Sequence, residues 1–327
     1  MLSRVADSIY WLNRYIERAE NIARFVDVNQ NLLLDAPSGL HQQWQPLVLT
    51  TGDLGFFQQY YGEFTDNNVI KFLTFDAKYP SSILSCLQSA RENARSIREI
   101  ISSEMWQQIN AFYLMVRDAA NHSMTTADLV EFFEAVKQSS HLFAGLTDAT
   151  MSHNEGWHFG QMGRFLERAD KTTRILDVKY FILLPSIQDV GTTLDEVQWM
   201  ALLKSASAYE MYRKRLQHRI TPSGVIEFLI LDREFPRSIQ FCLLQIENSL
   251  HQITGTRRGT WKNSAERKVG RLRSELEYLT VEEIMKGGLH EFLDNLQVRF
   301  NEVGEAIFQD FFAIDEELES FVLQAQS

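Results

Sequence analysis

Apolar residues recur at spacings of three and four along most of the chain, which is the periodicity of amphipathic α-helices. The alternating apolar and polar positions of β-strands, bounded by Gly or Asn-Gly turns, are not evident. Only six prolines interrupt the 327 residues. The pattern therefore predicts an all-α protein whose helices are joined by short connections.

Four sequence patterns occur twice, in the same order and at similar offsets. The pairs are 14–28 (RYIERAENIARFVDV) with 164–178 (RFLERADKTTRILDV), 44–47 with 199–202, 69–87 with 225–243, and 131–136 with 291–296. A repeat in fixed order predicts an internally duplicated helical bundle with two pseudo-symmetric copies packed together through an approximate two-fold rotation. The expected parts are a first helical repeat at 1–150, a second helical repeat at 151–310 and a C-terminal helical extension at 311–327.

The first repeated pattern places arginines and a glutamate on one face of a helix. On a helical wheel the charged residues of each copy fall in one arc about 120° wide. The residues predicted to form a binding or structural network are Arg14, Glu17, Arg18, Arg24, Arg164, Glu167, Arg168 and Arg174. The opposite face of each helix is apolar, so both helices are expected to pack against the rest of the protein.

Three interpretations of this charged face stay open. The first is a solvated face on which the charges are ordinary helix neighbours. The second is an Arg–Glu network in which the two motif helices face each other and their charges interleave, because arginine makes two-pronged bonds to carboxylates. The third is a functional groove. Two glutamates cannot neutralise six arginines, so the network also requires an anionic ligand or further carboxylates, of which the nearest are Asp27, Asp177, Glu20 and Asp170.

Charge and composition narrow the class of partner. The chain carries 32 basic and 43 acidic residues, a net charge of −11, which argues against nucleic acid as a partner. No run of eighteen apolar residues is present, and Arg4 and Asp7 interrupt the opening stretch that a signal peptide would keep apolar. These features predict a cytoplasmic protein without a membrane span.

Two further features of the repeats have structural explanations. Cys86 and Cys242 lack the partners of a disulfide framework or a zinc site, so they are predicted to be buried free thiols at equivalent places. The repeated Asp-x-x-aromatic-Pro-x-Ser stretches at 76–82 and 232–238 are expected to cap helix starts, with a polar pocket built from the two Asp residues as the alternative.

Other candidate chemistry is weak. Glu155 and His158 have the Glu-x-x-His spacing of di-iron bundles but lack a partner motif. The cluster at 117–122 (RDAANH) could orient a histidine, although such clusters before turns are usually structural. The basic stretch 254–273 is interpreted as a solvated loop and helix start, with anion or partner docking as the alternative. Because phosphate-cradling and dinucleotide motifs are also missing, neither a metal nor a cofactor is predicted.

The two Glu-Arg stretches give the chain a family resemblance. Residues 10–24 (YWLNRYIERAENIAR) and 145–180 resemble the bacterial alpha-E family, helical proteins named for a Glu-Arg motif, and the likeness extends over nearly the whole chain. The resemblance assigns Glu17, Arg18, Glu167 and Arg168 to that motif. It implies an association with circularly permuted ATP-grasp ligases and transglutaminase-like proteins, and no catalytic residue.

The function expected from this resemblance is that of an accessory or partner subunit in an ATP-grasp-linked peptide-ligation or protein-modification system. The alternative is an enzyme with an Arg/Glu-lined cleft between the two repeats, acting on an anionic or peptide substrate. Glu17 and Glu167 discriminate between the two. An open space between their carboxylates favours the enzyme, whereas direct bonds to arginine favour the partner subunit.

Overall fold

The computed structural model describes residues 1–34, 44–181, 192–216 and 219–313. Within these ranges the chain forms α-helices and short turns and contains no β-strand. The helices are α1 (Ser3–Leu34), α2 (Gln45–Thr51), α3 (Leu54–Tyr60), α4 (Asp66–Thr74), α5 (Ile83–Ser96), α6 (Ser103–Ala119), α7 (Thr126–Thr150), α8 (Glu155–Phe181), α9 (Thr193–Ser205), α10 (Tyr209–Leu216), α11 (Pro222–Ile226), α12 (Ile239–Thr254), α13 (Ser264–Glu277), α14 (Val281–Gly287) and α15 (Leu289–Ile307). The prediction of an all-α protein is confirmed.

Helices α1 and α8, which carry the two Glu-Arg stretches, pack side by side at the centre of the molecule. Helices α5 and α7 also pack on α1, while α12 and α15 pack on α8. The two central helices run in the same direction, since the Met1 amino group contacts Glu155 and Arg18 contacts Glu167. Each central helix therefore buries most of its surface and not only one stripe.

Large apolar side chains fill much of the space around the central pair, next to the polar and charged residues that the two helices also bury. Tyr10 and Leu12 of α1 and Met162 of α8 are 2 % exposed or less. Burial of side chains of this size is the main favourable contribution to folding. The apolar face predicted opposite the charged arc is thus part of the core.

The starts of α5 and α12 have the same local geometry. Ser82 accepts a hydrogen bond from the Ser85 amide, and Ser238 accepts one from the Phe241 amide. These are N-caps, which satisfy backbone N–H groups that have no helical partner. The capping explanation of the repeated stretch therefore applies to both serines.

The two aspartates of these stretches stabilise the preceding turns. Asp76 accepts from the Lys78 amide and from the Tyr61 hydroxyl. Asp232 accepts from the amides of Glu234 and Phe235. Asp232 also pairs with Arg215 and lines a surface cleft that does not include Asp76.

Two π-helical turns end helical segments. Glu227–Leu231 continues α11, and Phe308–Phe312 continues α15. The predicted C-terminal extension begins inside the second π-helical turn, and its residues 314–327 lie outside the described part of the chain. The two-fold relation between 1–150 and 151–310 stays a prediction. Among the described helices, none is both long and apolar enough to cross a membrane.

Candidate functional site: a crossed Arg–Glu network beside a basic cleft

Glycines on α8 allow α1 to approach closely just before the charged residues. A Cβ atom at Gly163 would lie 2.2 Å from the Tyr10 carbonyl oxygen, and one at Gly160 would lie 2.8 Å from the Asn13 amide nitrogen. Any side chain at Gly163 would therefore overlap the backbone of α1. The close approach places residues 14–18 of α1 directly against residues 164–168 of α8.

Glu17 of α1 is bound by arginines from the second half of the chain. Arg168 donates from Nε and Nη2 at 2.8 and 2.7 Å, and Arg237 donates from Nη1 at 3.2 Å. The Asn21 side-chain amide donates to the same carboxylate at 2.9 Å, and Arg164 Nε lies 3.7 Å from it. Glu17 is only 2 % exposed, so all of these bonds form away from water.

Glu167 of α8 is bound in the reciprocal way by the first half. Arg18 donates from Nε and Nη2 at 2.6 and 3.0 Å, and Arg14 donates from Nε at 2.9 Å. Lys171 Nζ lies 3.4 Å from the same carboxylate. Glu167 is fully buried. The glutamate of each motif helix is therefore bound by arginines of the other helix. We call this arrangement the crossed network.

Arg24 and Arg174 do not cross between the helices, contrary to the prediction that their charges interleave with the other motif. Arg24 binds Glu20 at 2.8 Å, and Arg174 binds Asp170 at 2.9 Å, each four residues earlier on its own helix. The reason is their position two turns beyond the motif glutamates, beside these nearer acids. Arg174 also donates to the Thr50 carbonyl at 2.6 Å.

The carboxylates expected to complete the network divide into two groups. Glu20 and Asp170 join it through the residues above. Asp27 instead contacts Lys137 at 3.0 Å, and Asp177 contacts His290 at 2.6 Å. Only the two acids that directly follow the Glu-Arg-Ala sequence therefore take part.

Arg237 is a network member that the sequence analysis did not identify. It precedes the N-cap of α12, is 6 % exposed, and donates to Glu17, Asn21 and Glu20. The position aligned with it in the similar stretch 69–87 is Ser81. The two aligned stretches also differ at eight other positions, so the sequence contained no signal that distinguishes Arg237.

The arginines keep the motif carboxylates charged. Burial acts to raise the pKa of Glu167, but the charges of Arg18, Lys171 and Arg14 outweigh it and hold this pKa well below its usual range. Burial opposes Arg168 and Arg237 in the same way at Glu17, and the pKa of Glu17 is lowered. Both groups are therefore fixed anions near neutral pH.

The Glu17 side of the network is crowded with cations. Burial, followed by the neighbouring charge of Arg168, lowers the pKa of Arg164 to about 10. Burial also lowers the pKa of Arg237, with the charge of Arg168 acting in the same direction and the charges of Glu20 and Glu17 opposing it. The arginines on this side therefore carry more positive charge than its carboxylates neutralise.

A cleft of about 480 Å³ opens on the Glu167 side, next to the network. Its lining combines basic side chains with apolar side chains from α1, α8 and α15, and the Arg14 guanidinium stacks on Trp11. The basic residues are Arg14, Arg18, Lys171 and Arg174. A smaller adjoining cleft shares Arg18, Lys171, Arg174 and Ser81 with it, so the two are continuous. A volume of this size is typical of small-molecule sites.

The weaker candidates from the sequence have local partners. Glu155 pairs with the amino terminus at 2.9 Å, and His158 lies 3.4 Å from the Ser249 hydroxyl. Arg117 pairs with Asp118 on an exposed helix end, and His122 lies against the Asp118 carbonyl. These contacts account for each group structurally.

The basic stretch 254–273 is also divided among local contacts. Arg258 donates to Asn248, Lys268 pairs with Glu302, and Arg271 pairs with Glu275. Part of it lines a second surface cleft of about 560 Å³ between α13 and α15. That cleft is lined by four bases, Arg267, Lys268, Arg271 and Arg299, and by two carboxylates, Glu275 and Glu302, so local pairs neutralise only part of its positive charge. Anion or partner docking by this stretch stays the alternative.

One cluster in the described part of the chain has the spacing of metal ligands, and the sequence analysis did not single it out. Asp177, His290 and Asp294 place one ligand atom each within 4.8 Å of one another. His290 Nδ1 lies 2.6 Å from Asp177, Nε2 lies 3.6 Å from Asp294, and the ring stacks on Tyr180. The carboxylates raise the pKa of His290 against the opposing effect of burial. The geometry is that of an ion-paired histidine.

Comparison with known proteins gives a family match over nearly the whole chain. Residues 1–312 match the model of the Alpha-E family, described as a predicted alpha-helical domain with a conserved ER motif. The chain is also 21% identical, over 335 aligned residues, to an uncharacterized protein of Mycobacterium bovis and to one of Mycobacterium tuberculosis. The alignment covers 93% of this chain and 36% of each relative, so the chain spans about a third of their length. No solved structure matches.

Proposed function

The chain belongs to the Alpha-E family, and from that premise we propose that it is a non-catalytic partner subunit of an ATP-grasp-linked peptide-ligation or protein-modification system. The expected partners are a circularly permuted ATP-grasp protein and, secondly, a transglutaminase-like protein, both taken from the family resemblance. The internally duplicated bundle is part of the proposal: two related halves joined by the crossed network form a rigid body to which a partner binds.

The state of the two motif glutamates carries this proposal. A general acid or base must exchange a proton with a substrate, and its pKa must lie near the working pH. Glu17 and Glu167 are buried, are bound directly by guanidinium groups, and have lowered pKa values. An enzyme that uses these carboxylates is therefore disfavoured, because they are neither accessible nor able to hold a proton near neutral pH.

The length of the relatives is consistent with a partner role. In the mycobacterial proteins the matched region is joined to sequence almost twice as long as itself, since it makes up 36% of each chain. We infer that the matched region contacts the sequence joined to it in these relatives, and we propose the same kind of contact between this chain and its partner.

Co-purification with the ATP-grasp protein of the same genome tests the proposal. The full chain and the tagged ATP-grasp protein are co-expressed, and ATP turnover of the purified partner is measured with and without this chain. We expect a stable complex, altered turnover in its presence, and no turnover by this chain alone. A transglutaminase-like protein is tested in the same way. Failure to bind either partner, or ATP turnover by the isolated chain, would refute the proposal.

A further inference from the structure

The Glu17 side and the Glu167 side of the network carry the same charges, but different side chains supply them and fill the space around each glutamate. On the Glu17 side, Arg237 lies between Glu17, Glu20 and Asn21. On the Glu167 side the aligned residues are Ser81 in place of Arg237 and Lys171 in place of Asn21. Lys171 contacts Glu167 at 3.4 Å and Asp170 at 3.0 Å. On each side, one cation therefore bridges two acids. On the Glu167 side this cation is Lys171, which belongs to α8, the helix that also carries both acids.

This exchange leaves room on the Glu167 side. The long side chain of Arg237 fills the space in front of α1, whereas Ser81 contributes only a hydroxyl group to the wall of the cleft. The Ser81 hydroxyl accepts a hydrogen bond from Arg18 Nη1 at 3.5 Å, which is long for such a bond. The cleft on the Glu167 side therefore lies at the position that Arg237 fills on the Glu17 side.

Two arginines that line the cleft have N–H donors that are not fully used in hydrogen bonds. A guanidinium group carries five N–H donors. Arg174 uses Nε for Asp170 and Nη1 for the Thr50 carbonyl, while Nη2 donates no hydrogen bond within the described part of the chain. Arg18 Nη1 has only its long contact to Ser81. Two guanidinium groups thus present partly unused, charged donors to the cleft.

The charge around the cleft also favours an anion. Arg14, Arg18, Lys171 and Arg174 face it, and the carboxylates beside or beneath them are Asp170, Glu305 and Glu167. Four cations against three carboxylates leave one positive charge, on side chains that are 16 to 22 % exposed. Partial removal from water strengthens the attraction for an anion. A carboxylate would balance this charge, and a phosphate ester, with about one and a half to two negative charges, would exceed it slightly.

The apolar residues that line the cleft determine which group attached to that oxyanion can be accommodated. Phe300, Phe308 and Phe312, from α15 and its π-helical turn, line the cleft together with Trp11 and Leu166. Phe308 is 44 % exposed, whereas Phe300 and Phe312 are 2 % and 6 % exposed, so Phe308 provides the accessible apolar surface. Apolar and aromatic walls with a few placed polar groups are typical of small-molecule sites.

We propose that this cleft binds a small molecule or peptide end that carries one oxyanion group, a carboxylate or a phosphate ester, next to an aromatic or aliphatic group. Arg18, Lys171 and Arg174 bind the oxyanion, and Phe308 contacts the apolar group. Binding is a property of the chain alone and does not depend on the partner proposed above, so either proposal can fail without the other.

Isothermal titration calorimetry of the full chain tests this with four probes. N-acetyl-phenylalanine and phenyl phosphate combine an oxyanion with an aromatic ring, N-acetylphenylalaninamide lacks the charge, and inorganic phosphate lacks the ring. We expect at least one of the first two probes to bind roughly tenfold or more tightly than both controls, as removal of a charge-assisted bond predicts. Which of the two binds distinguishes a carboxylate from a phosphate ester. Absence of binding by both, or equal binding by the amide, would overturn the proposal.

A charge-neutral double variant provides the matched test. Ser81→Arg together with Lys171→Asn gives the Glu167 side the residue types that the Glu17 side has at the aligned positions, and it leaves the net charge unchanged. We expect binding to weaken at least tenfold. Circular dichroism verifies the fold, and Arg174→Gln serves as a second binding variant if the double variant does not fold. Arg257→Gln, at an exposed position outside the cleft, should bind as the wild type does. Wild-type binding by a folded double variant would contradict the assignment of the site.

Discussion

Glu17 and Glu167 are charged groups in a region from which water is nearly excluded. Replacing Glu167 by Gln leaves Arg14, Arg18 and Lys171 without their shared carboxylate. Loss of one member of a buried ion pair costs about 3–5 kcal/mol, so we expect Glu167→Gln and Glu17→Gln each to lower the free energy of unfolding by this amount. Urea denaturation at neutral pH measures the change.

Glu92 provides the matched control for these variants. Its pair with Arg95 is exposed, with side-chain exposures of 63% for Arg95 and 47% for Glu92. Exposed pairs contribute about 0–1 kcal/mol, so Glu92→Gln should remain close to wild type. If both network variants behave like this control, the network is not a stabilising joint. Its charges would then be a solvated face or a binding surface, which partner binding by the same variants would distinguish.

The lowered pKa of Glu167 predicts a particular dependence of stability on pH. Because the pKa is lower in the folded state, the stabilisation is complete above the unfolded value of about 4.3 and is lost as pH falls through the folded value. The free energy of unfolding of the wild type should therefore decrease below about pH 4, and that of Glu167→Gln should decrease less. Parallel urea titrations between neutral and acid pH measure the two slopes. Equal slopes would contradict the assignment.

Cys86 and Cys242 are free and fully buried, as predicted. Each thiol lies near the carbonyl of the preceding proline, at 3.9 Å from Pro80 and 3.8 Å from Pro236. Burial raises the pKa of both thiols to about 12, so the reactive thiolate is scarce. We expect labelling by a bulky thiol reagent to be slow in the native chain and complete in denaturant. Rapid native labelling of either cysteine would show that its helix opens readily.

At the scale of the helix pair, Gly163 sets the distance between α1 and α8. A Cβ atom there would lie 2.2 Å from the backbone of Tyr10, which cannot rotate away. We therefore expect Gly163→Ala to lower stability by about 1–3 kcal/mol or more through overpacking. Gly145 in α7 has open space around it, and Gly145→Ala should be neutral or stabilising. Thermal melts of both variants measure the difference, and two similar melts would refute the close approach.

The helices and their charged arc could be predicted from periodicity, because α1 and α8 are long and the spacing of Arg14, Glu17 and Arg18 is repeated. The contribution of Gly163 could not, since a glycine inside a helix reveals nothing about which backbone lies against it. Arg237 was missed for a related reason. It reaches the network from a turn whose direction depends on tertiary packing, and the matching Ser81 gave no reason to expect a charge.

For the whole molecule, the crossed network implies that the two halves depend on each other. The arginines that bind Glu17 across the interface lie beyond residue 160, and those that bind Glu167 lie before residue 20. We expect fragments 1–151 and 152–327, expressed separately, to lack cooperative folding and to recover native helicity when co-expressed. Circular dichroism and sedimentation measure this. A fragment that melts cooperatively as a monomer would show that the halves are independent.

The contrast between Arg237 and Ser81 has a consequence for how such a protein can change over generations. If two identical chains supplied the Glu-Arg stretches, every substitution would occur on both sides of the contact at once, and opening one side would also open the other. Here both stretches belong to one gene product, so each side accumulates changes independently. The Glu17 side can therefore keep Arg237 and its contacts while residues on the Glu167 side change. Such changes can alter which ligands the cleft binds without loss of the contacts that hold α1 and α8 together.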